Sequence, residues 1–240
     1  MLSEAYPIDR LREILVSREA WHLYPTRDER ENWEAIPESV RKAHVAKGEA
    51  CLSFRWEPFR ATLFLEMART GDRALYDKHR ARHRTALCEL VVAECVEGQG
   101  RFMDDIVDGV WSLCEESFWG KPFTLSIQKA GYDLPDTSEP IVALFAAEAA
   151  SLLAWTCYLL GPQIEAYSKL ILPRVEREIQ RRMLVPCLER DDFWWMGFGR
   201  ARSVNNWNPW ICSNWLATVL LIEQDEDRRV KSVAKIMRAL

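Results

Sequence analysis

Residues 191–215 are the part of the chain whose residue types and spacing best fit chemistry on a ligand. They include five of the chain's eleven tryptophans and four of its asparagines. An indole can cover the apolar face of a sugar ring, while a side-chain amide offers a donor and an acceptor to hydroxyls or a carboxylate. This Trp/Asn stretch is therefore typical of a sugar-binding site. The alternative is a packed turn between helices, but its asparagines would then need partners in the core.

Several carboxylates are candidates for the same site. Glu148 stands in the middle of the most apolar segment, where an unpaired carboxylate is costly. We therefore expect it to be mostly buried, with a hydrogen-bond or charged partner. Glu115 and Glu116 precede an aromatic turn that contains Trp119. We expect one of the two, assigned as Glu115, to share a cavity with the Trp/Asn stretch, and the other to be solvated.

His79 and His83 have the i, i+4 spacing of a helical metal pair. The glutamate of the HExxH motif is absent, and no third ligand is evident. We interpret both as packed histidines with satisfied hydrogen bonds, and we expect neither a metal nor a cofactor. The basic residues around them are interpreted as a solvated face, with contact to an anionic glycan as the alternative: Lys78, Arg80, Arg82 and Arg84.

Composition limits the partners. The formal net charge of −4 gives no general case for nucleic acid or an anionic membrane surface. Residues 141–160 are apolar enough to span a membrane, but amphipathic neighbours favour a buried core helix. The first residues include acids and lack an apolar core, so no signal peptide is expected; a cytoplasmic protein and a processed periplasmic or secreted one both stay open. The seven cysteines are scattered without a CxxC pair and are expected to be reduced.

Helical periodicity recurs along almost the whole chain, so the predicted fold class is all-α. A first helix is predicted over Ile8–Trp21 and a second segment over Arg30–Gly48, interrupted at Pro37. An apolar helix, a short turn and an amphipathic helix then occur three times. These units begin at Pro58, Pro140 and Pro209. Their alternation suggests an inner ring sheathed by an outer ring, which is an α/α toroid of helical hairpins.

The chain stops within an amphipathic helix that has no Gly or Pro after it. We therefore expect one helical domain over residues 1–240 that is the N-terminal fragment of an incomplete toroid. The last helix should then lack a natural neighbour. We expect Val230, Val233 and Met237 to be more exposed than core residues or covered by a second copy, so a homo-oligomer through this edge is a further expectation.

Four motifs occur along the chain in this order: LCEESFWGKP, LFAAEAASLLAWT, ERDDFWWMGFG and NNWNPWICSNW. Together they resemble the helical N-terminal portion of the heparinase II/III-like family. The resemblance implies an incomplete α/α toroid followed by a C-terminal β-sandwich, which this chain does not include. It also implies polysaccharide lyase chemistry, in which β-elimination at a uronic acid cleaves an acidic polysaccharide or oligosaccharide.

β-Elimination needs a group that neutralises the uronate carboxylate, a base for the C5 proton and an acid for the leaving oxygen. By similarity the first role falls to Asn206 or Asn205, with Asn206 preferred because it directly precedes Trp207. The base and acid, usually Tyr and His in the family, match no motif here and are expected beyond Leu240. Contacts to the sugar are assigned to the remaining candidates: Trp207, Trp194, Trp195, Trp210, Trp119, Glu115 and Glu148.

The chain departs from the family pattern after the Trp-Gly turn, where Pro122-Phe123-Thr124 stands in place of Pro-Ala-His. A non-catalytic glycan-binding or scaffold module is therefore a second hypothesis. A third is a glycosidase on a similar helical toroid, using a carboxylate pair such as Glu148 with Glu115 or Asp191. The hypotheses differ in whether a bound glycan is cleaved and by which reaction.

Overall fold

A computed structural model describes residues 2–199 and 205–240, and within these ranges the chain is helical without any strand. Helix accounts for 67% of the residues, which confirms the predicted all-α class. Two 3₁₀ turns and one π turn interrupt the α-helices, at Pro122–Ile127, Trp194–Met196 and Gln180–Leu184. The α-helices are α1 (Leu2–Ala5), α2 (Ile8–Ile14), α3 (Arg30–Glu34), α4 (Glu38–Glu49), α5 (Ala61–Thr70), α6 (Ala74–Glu97), α7 (Met103–Glu115), α8 (Leu144–Tyr167), α9 (Ile171–Ile179), α10 (Val185–Glu189), α11 (Trp207–Ile222) and α12 (Glu226–Ala239).

The helices from α6 onward pack as two rows. In the first row, α8 lies between α6 and α11, and each of these three helices contacts the one that follows it, namely α7, α9 and α12. The second row is joined by contacts of α7 with α9 and of α10 with α12. Helices α8 and α11 are apolar nearly all round, whereas α12 buries one stripe, in agreement with the predicted alternation.

In the first predicted unit, the wrong helix is predicted to take the inner position. The sequence pattern puts the helix after Pro58 in the inner position, but α6, not α5, packs beside α8. Helix α5 contacts α6 and the 3₁₀ turn that follows α7. Helix α6 buries three charged residues in ion pairs: Arg80, Arg84 and Glu94. Because these charges break up the apolar pattern, hydrophobicity alone does not reveal the inner position of α6.

The first helix is shorter than predicted, whereas the second segment is broken as predicted. Helix α2 ends at Ile14 instead of Trp21. The chain then runs over α12, where Arg229 donates a hydrogen bond to the carbonyl oxygen of Val16. Helices α3 and α4 are separated at Pro37, which confirms the predicted interruption. Proline limits the residue before it to extended conformations and lacks an N–H, so a helix rarely continues through it.

The last helix is not an uncovered edge. Helices α1 and α2 pack against α12, and Arg12 forms an ion pair with Asp227. Val230 and Val233 are buried, and Met237 is partly buried. The prediction of an exposed apolar edge is therefore wrong. The expectation of a homo-oligomer was based on that edge and has no exposed surface to support it. The covering segment comes from the opposite end of the chain, which no local pattern reveals.

Helix α8 is the central helix of the fold. It is long and apolar enough to cross a membrane by length and composition, but 56% of its most apolar window is buried inside the protein. This burial agrees with the interpretation of the segment as a core helix. The helix kinks at Leu160 (φ −126°, ψ 16°), just before Pro162. A proline at this position removes a helical hydrogen bond and clashes with the preceding turn, which accounts for the kink.

The N-terminal parts of α6, α8 and α11 lie side by side. Arg80 of α6 donates a hydrogen bond to the carbonyl oxygen of Phe145, in the first turn of α8. The ring of Phe145 in turn contacts Trp210, in the first turn of α11. This end of the first row brings the Trp/Asn stretch next to residues that lie about 60 to 130 positions earlier in the sequence.

Candidate functional site

Five rings lie together near the start of α8 and α11; two of them are exposed and three are partly buried. The ring of Trp207 lies 5.0 Å from that of Trp194 and 6.3 Å from that of Phe123, and Phe145 lies 6.2 Å from Trp210. Trp194 is 50% exposed and Trp210 is 45% exposed. We call these five residues the aromatic surface. Exposed indoles of this kind offer flat apolar area to a ligand while keeping a polar N–H.

Cationic side chains surround the aromatic surface. The guanidinium of Arg73 lies 4.4 Å from the centre of the Phe123 ring, and the Lys121 ammonium lies 4.1 Å from that of Phe145. Both cations also pair with Asp77, at 3.4 Å and 3.1 Å. The carboxylate thus holds the two cations beside the rings. Together with the Arg80–Glu148 pair, three cations face two carboxylates, so the local charge is positive.

Glu148 has the partner that the sequence predicts. Its carboxylate lies 3.2 Å from Arg80, which confirms a charged partner, and its side chain is 35% exposed, so it is partly rather than mostly buried. The guanidinium of Arg80 is buried and also lies 4.7 Å from the ring of Phe145. Burial, together with the neighbouring Arg84, lowers the pKa of Arg80 from its usual value. Glu148 therefore lies at the border of the aromatic surface.

Asn205 and Asn206 differ in their surroundings. The side-chain oxygen of Asn205 accepts a hydrogen bond from the backbone N–H of Asn208 at 3.0 Å, which satisfies a donor of the first turn of α11. Asn206 is exposed, and its side chain makes no hydrogen bond within the described ranges. The structure thus gives Asn205 a local structural bond and leaves the amide of Asn206 facing solvent beside Trp207.

The two other asparagines of the stretch hold the backbone together. The amide of Asn208 donates to the carbonyl oxygens of Trp195 and Ala239, at 3.0 and 2.9 Å. Asn214 donates to the carbonyl oxygen of Trp210 at 2.9 Å, within α11. The cost of polar groups in an aromatic cluster is therefore offset by backbone partners. Residues 200–204, which belong to the same stretch, lie outside the described ranges.

Two of the tryptophans assigned to the sugar are core residues. Trp195 is fully buried and donates to the carbonyl oxygen of Val142 at 2.8 Å. Trp119 is 1% exposed and donates to the carbonyl oxygen of Leu113 at 2.8 Å. Neither ring offers a face to a ligand in this structure. Their burial corrects the expectation that all the tryptophans near these motifs are available to a sugar.

Glu115 lies in a different place from the aromatic surface. It lines a cavity of about 440 Å³ together with Asp108 and four rings: Phe54, Trp56, Phe59 and Trp111. We call this site the acidic cavity. Asn206 and Trp207 line neither the acidic cavity nor the small cavity beside Trp119. The predicted sharing of one cavity by Glu115 and the Trp/Asn stretch is therefore not seen in either place.

A buried ion pair forms the back of the acidic cavity. Arg84 donates two hydrogen bonds to the carboxylate of Glu116, and both residues are 6% exposed. Glu116 is therefore paired in the interior, whereas Glu115 is exposed and accepts a hydrogen bond from the Trp111 indole at 2.8 Å. Both adjacent glutamates line the cavity, but Glu115 is exposed there, whereas Glu116 anchors α6 to the end of α7.

The two histidines agree with the prediction in part. Both pack as expected, and the Nε2 atom of His79 lies 3.0 Å from the carbonyl oxygen of Glu57. His83 is 1% exposed, and neither of its ring nitrogens has a hydrogen-bond partner among the described residues, so the expected satisfied bonds are absent there. Three rings of the acidic cavity, Phe54, Trp56 and Phe59, each lie 5.4 Å from His83. Burial lowers the pKa of His83 to about 3.

Sequence reasoning missed several residues of the aromatic surface and several others of the acidic cavity. Arg73, Lys121 and Phe145 were not assigned to a site, although Lys121 and Phe145 lie within two of the four quoted motifs. Phe123 was noted only as a departure from the family pattern. The rings of the acidic cavity carry a weak signal, since three aromatic residues occur among the six residues 54–59. Within the described ranges, no group of three or more His, Cys, Asp or Glu residues is arranged to hold a metal ion.

Comparison of the chain with models of protein families found no match, and comparison with curated proteins found none either. The geometry of the two sites therefore carries the functional argument.

Proposed function

We propose that the aromatic surface binds an acidic polysaccharide or oligosaccharide, and that the chain is the glycan-binding helical portion of a polysaccharide lyase-like protein. The observation that carries the proposal is the set of neighbouring rings, two exposed and three partly buried, with cations held beside them. A uronate polymer combines apolar sugar faces with regularly spaced carboxylates. Rings fit the first feature, and Arg73 and Lys121 fit the second.

Asn206 is proposed as the group that neutralises the uronate carboxylate. Its exposure next to Trp207 supports this choice over Asn205, whose oxygen is used by α11. Hydrogen bonds from an amide to a carboxylate stabilise the negative charge that builds up when the C5 proton leaves. In this proposal a base and an acid come from elsewhere in a longer protein, because His83 is enclosed by rings and Tyr76 donates its buried hydroxyl to the carbonyl oxygen of Gly120.

The arrangement of helices in two rows is compatible with a segment of an α/α toroid, the architecture implied by the resemblance to the heparinase II/III-like family. A non-catalytic glycan-binding module uses the same aromatic surface and differs only in lacking cleavage. The glycosidase hypothesis has less support. Its candidate Asp191 is paired with Lys235 and Arg238, at 2.6 and 2.9 Å, and these hydrogen bonds lower its pKa, which makes it a poor general acid.

The test is a binding titration of the 240-residue chain with oligosaccharides of several uronate polymers. Tryptophan fluorescence or calorimetry monitors the binding. Trp207→Ala should weaken binding by about tenfold, because it removes stacking area worth roughly 1 to 1.5 kcal/mol. Asn206→Ala should weaken it less in this chain. In a longer, active protein Asn206→Ala should lower turnover by about a hundredfold or more, as removal of an oxyanion donor does.

Trp111→Ala is the matched control, because Trp111 is a 40% exposed tryptophan that lies in the acidic cavity instead of the aromatic surface. It should leave binding of the uronate oligosaccharides unchanged. The proposal fails if no uronate oligosaccharide binds, or if Trp111→Ala and Trp207→Ala weaken binding equally. The carboxylate-neutralising role fails if cleavage survives replacement of both Asn205 and Asn206 by alanine in a longer, active protein.

A further inference from the structure

The acidic cavity has an unusual balance of polar groups. Two of its lining residues, Asp108 and Glu115, are exposed carboxylates without a cationic partner among the described residues. No lysine, arginine, histidine or carboxamide lines it, and its other polar side chains are the paired carboxylate of Glu116 and two serine hydroxyls. Hydrogen-bond acceptors therefore outnumber donors. A neutral sugar needs both kinds of partner, and an anionic uronate would be repelled.

The rings of the cavity suit a cation. Phe54, Trp56, Phe59 and Trp111 line its walls. An aromatic face attracts a cation through its quadrupole, and sites that bind alkylated ammonium groups combine such rings with carboxylates. Arginines already lie near two of these rings, with Arg82 at 5.6 Å from Phe54 and Arg174 at 5.5 Å from Trp111.

The nearest cations lie outside the residues that line the cavity. Arg84 is paired with Glu116, Arg174 shares Glu178 with Arg181 and Arg182, and Arg82 has no ion-pair partner among the described residues. His83, which packs behind three of the rings, is neutral at pH 7 because burial lowers its pKa. Among the residues that line it, the cavity therefore carries the negative charge of its two exposed carboxylates, Asp108 and Glu115.

We infer that the acidic cavity binds a small organic cation that carries an alkylated ammonium group. Its volume of about 440 Å³ lies within the range of small-molecule sites. The rings contact the alkyl groups, while Asp108 and Glu115 supply the opposite charge. This site is separate from the aromatic surface and takes a ligand of opposite charge, so the inference does not depend on the proposed function.

The probes are choline, tetramethylammonium and 3,3-dimethyl-1-butanol, which has nearly the shape of choline without its charge. We expect the two cations to bind the 240-residue chain at millimolar concentrations or below and the neutral alcohol to bind at least about tenfold more weakly, since the charge supplies the cation–π and Coulombic attraction. Glu115→Gln should weaken choline binding by about fivefold, and adding Asp108→Asn should weaken it further. Calorimetry measures each constant.

Glu226→Gln is the matched control, because Glu226 is an exposed carboxylate on α12, away from the cavity. It should leave choline binding unchanged. Circular dichroism should show that the exposed, nearly isosteric variants keep the fold. The inference is overturned if neither cation binds, if the neutral alcohol binds as tightly as choline, or if Glu226→Gln and Glu115→Gln have equal effects. Competition of choline by a neutral oligosaccharide at the same site would make it a sugar site instead.

Discussion

The aromatic surface and the acidic cavity use the same kinds of ring and opposite charges. Around the aromatic surface, Arg73 and Lys121 lie over rings, with their cations only partly neutralised. In the acidic cavity, Asp108 and Glu115 line the space between the rings. Rings supply contact area to almost any flat or apolar group, so they select weakly. Under the two proposals, the charges beside the rings therefore decide which ligand each site takes.

The two sites are supported by neighbouring ion pairs on one helix. Arg80 and Arg84 are one turn apart on α6. Arg80 pairs with Glu148 at the border of the aromatic surface, and Arg84 pairs with Glu116 behind the acidic cavity. The first pair has a carboxylate that is 35% exposed, whereas both members of the second are buried. We therefore expect the stability of the fold to depend more on the buried Arg84–Glu116 pair than on the partly exposed Arg80–Glu148 pair.

The largest expected effect tests this difference. Arg84→Met should lower the free energy of unfolding by about 3 to 5 kcal/mol, because it leaves the Glu116 carboxylate buried without a partner. Arg80→Met should cost about 1 kcal/mol, since water already screens Glu148. Urea denaturation of each variant measures both values. The double variant Arg84→Met/Glu116→Leu should recover most of the loss, and equal losses for the two single variants would contradict the comparison.

A second effect concerns the histidine behind the acidic cavity. Burial lowers the pKa of His83 from its usual 6.5 to about 3, so between these values the unfolded chain binds more protons than the folded chain. The stabilising contribution of neutral His83 is thus fully present above about pH 6.5 and is lost as pH falls towards 3. The slope should approach about 1.4 kcal/mol per pH unit within that window.

His83→Phe keeps a ring in the cluster and removes the titrating group. The variant should lose much of this slope when its unfolding is measured in urea at several pH values between 3 and 7. His22→Phe is the control, since the side chain of His22 is 51% exposed, and it should retain the slope. An unchanged slope in His83→Phe would show that other groups cause the acid dependence.

The smallest expected effect tests the difference in charge between the aromatic surface and the acidic cavity. Lys121→Gln removes one cation from the aromatic surface, and we expect it to weaken binding of a uronate oligosaccharide by about two- to fivefold at low salt and less at high salt. Choline binding to the acidic cavity should not change. Lys42→Gln, in an exposed pair with Glu38 on α4, serves as the control. A similar loss for both lysine variants would indicate a general charge effect instead of a local one.

Much of the helical architecture could be predicted from sequence because it depends on local periodicity. The all-α class, the break at Pro37 and the apolar character of the helices that became α8 and α11 follow from residue spacing and from proline. The inner position of α6 could not be predicted in this way, because Arg80 and Arg84 are buried through partners more than thirty residues away. Burial of a charge depends on where its partner folds, and a periodic pattern does not contain that information.

The same distinction between local sequence and tertiary packing applies to the candidate sites. The amino-acid sequence is sufficient to show that residues 191–215 are rich in indoles and amides, and that Glu148 needs a partner. The tertiary packing then determines that Trp207 belongs to the aromatic surface while Trp195 is buried, and that Glu115 lies in the acidic cavity. The physical reason is that a side chain's exposure and charged neighbours are set by the elements packed around it. Those elements come from distant parts of the chain, so composition identifies candidate chemistry and packing determines which candidates can reach a ligand.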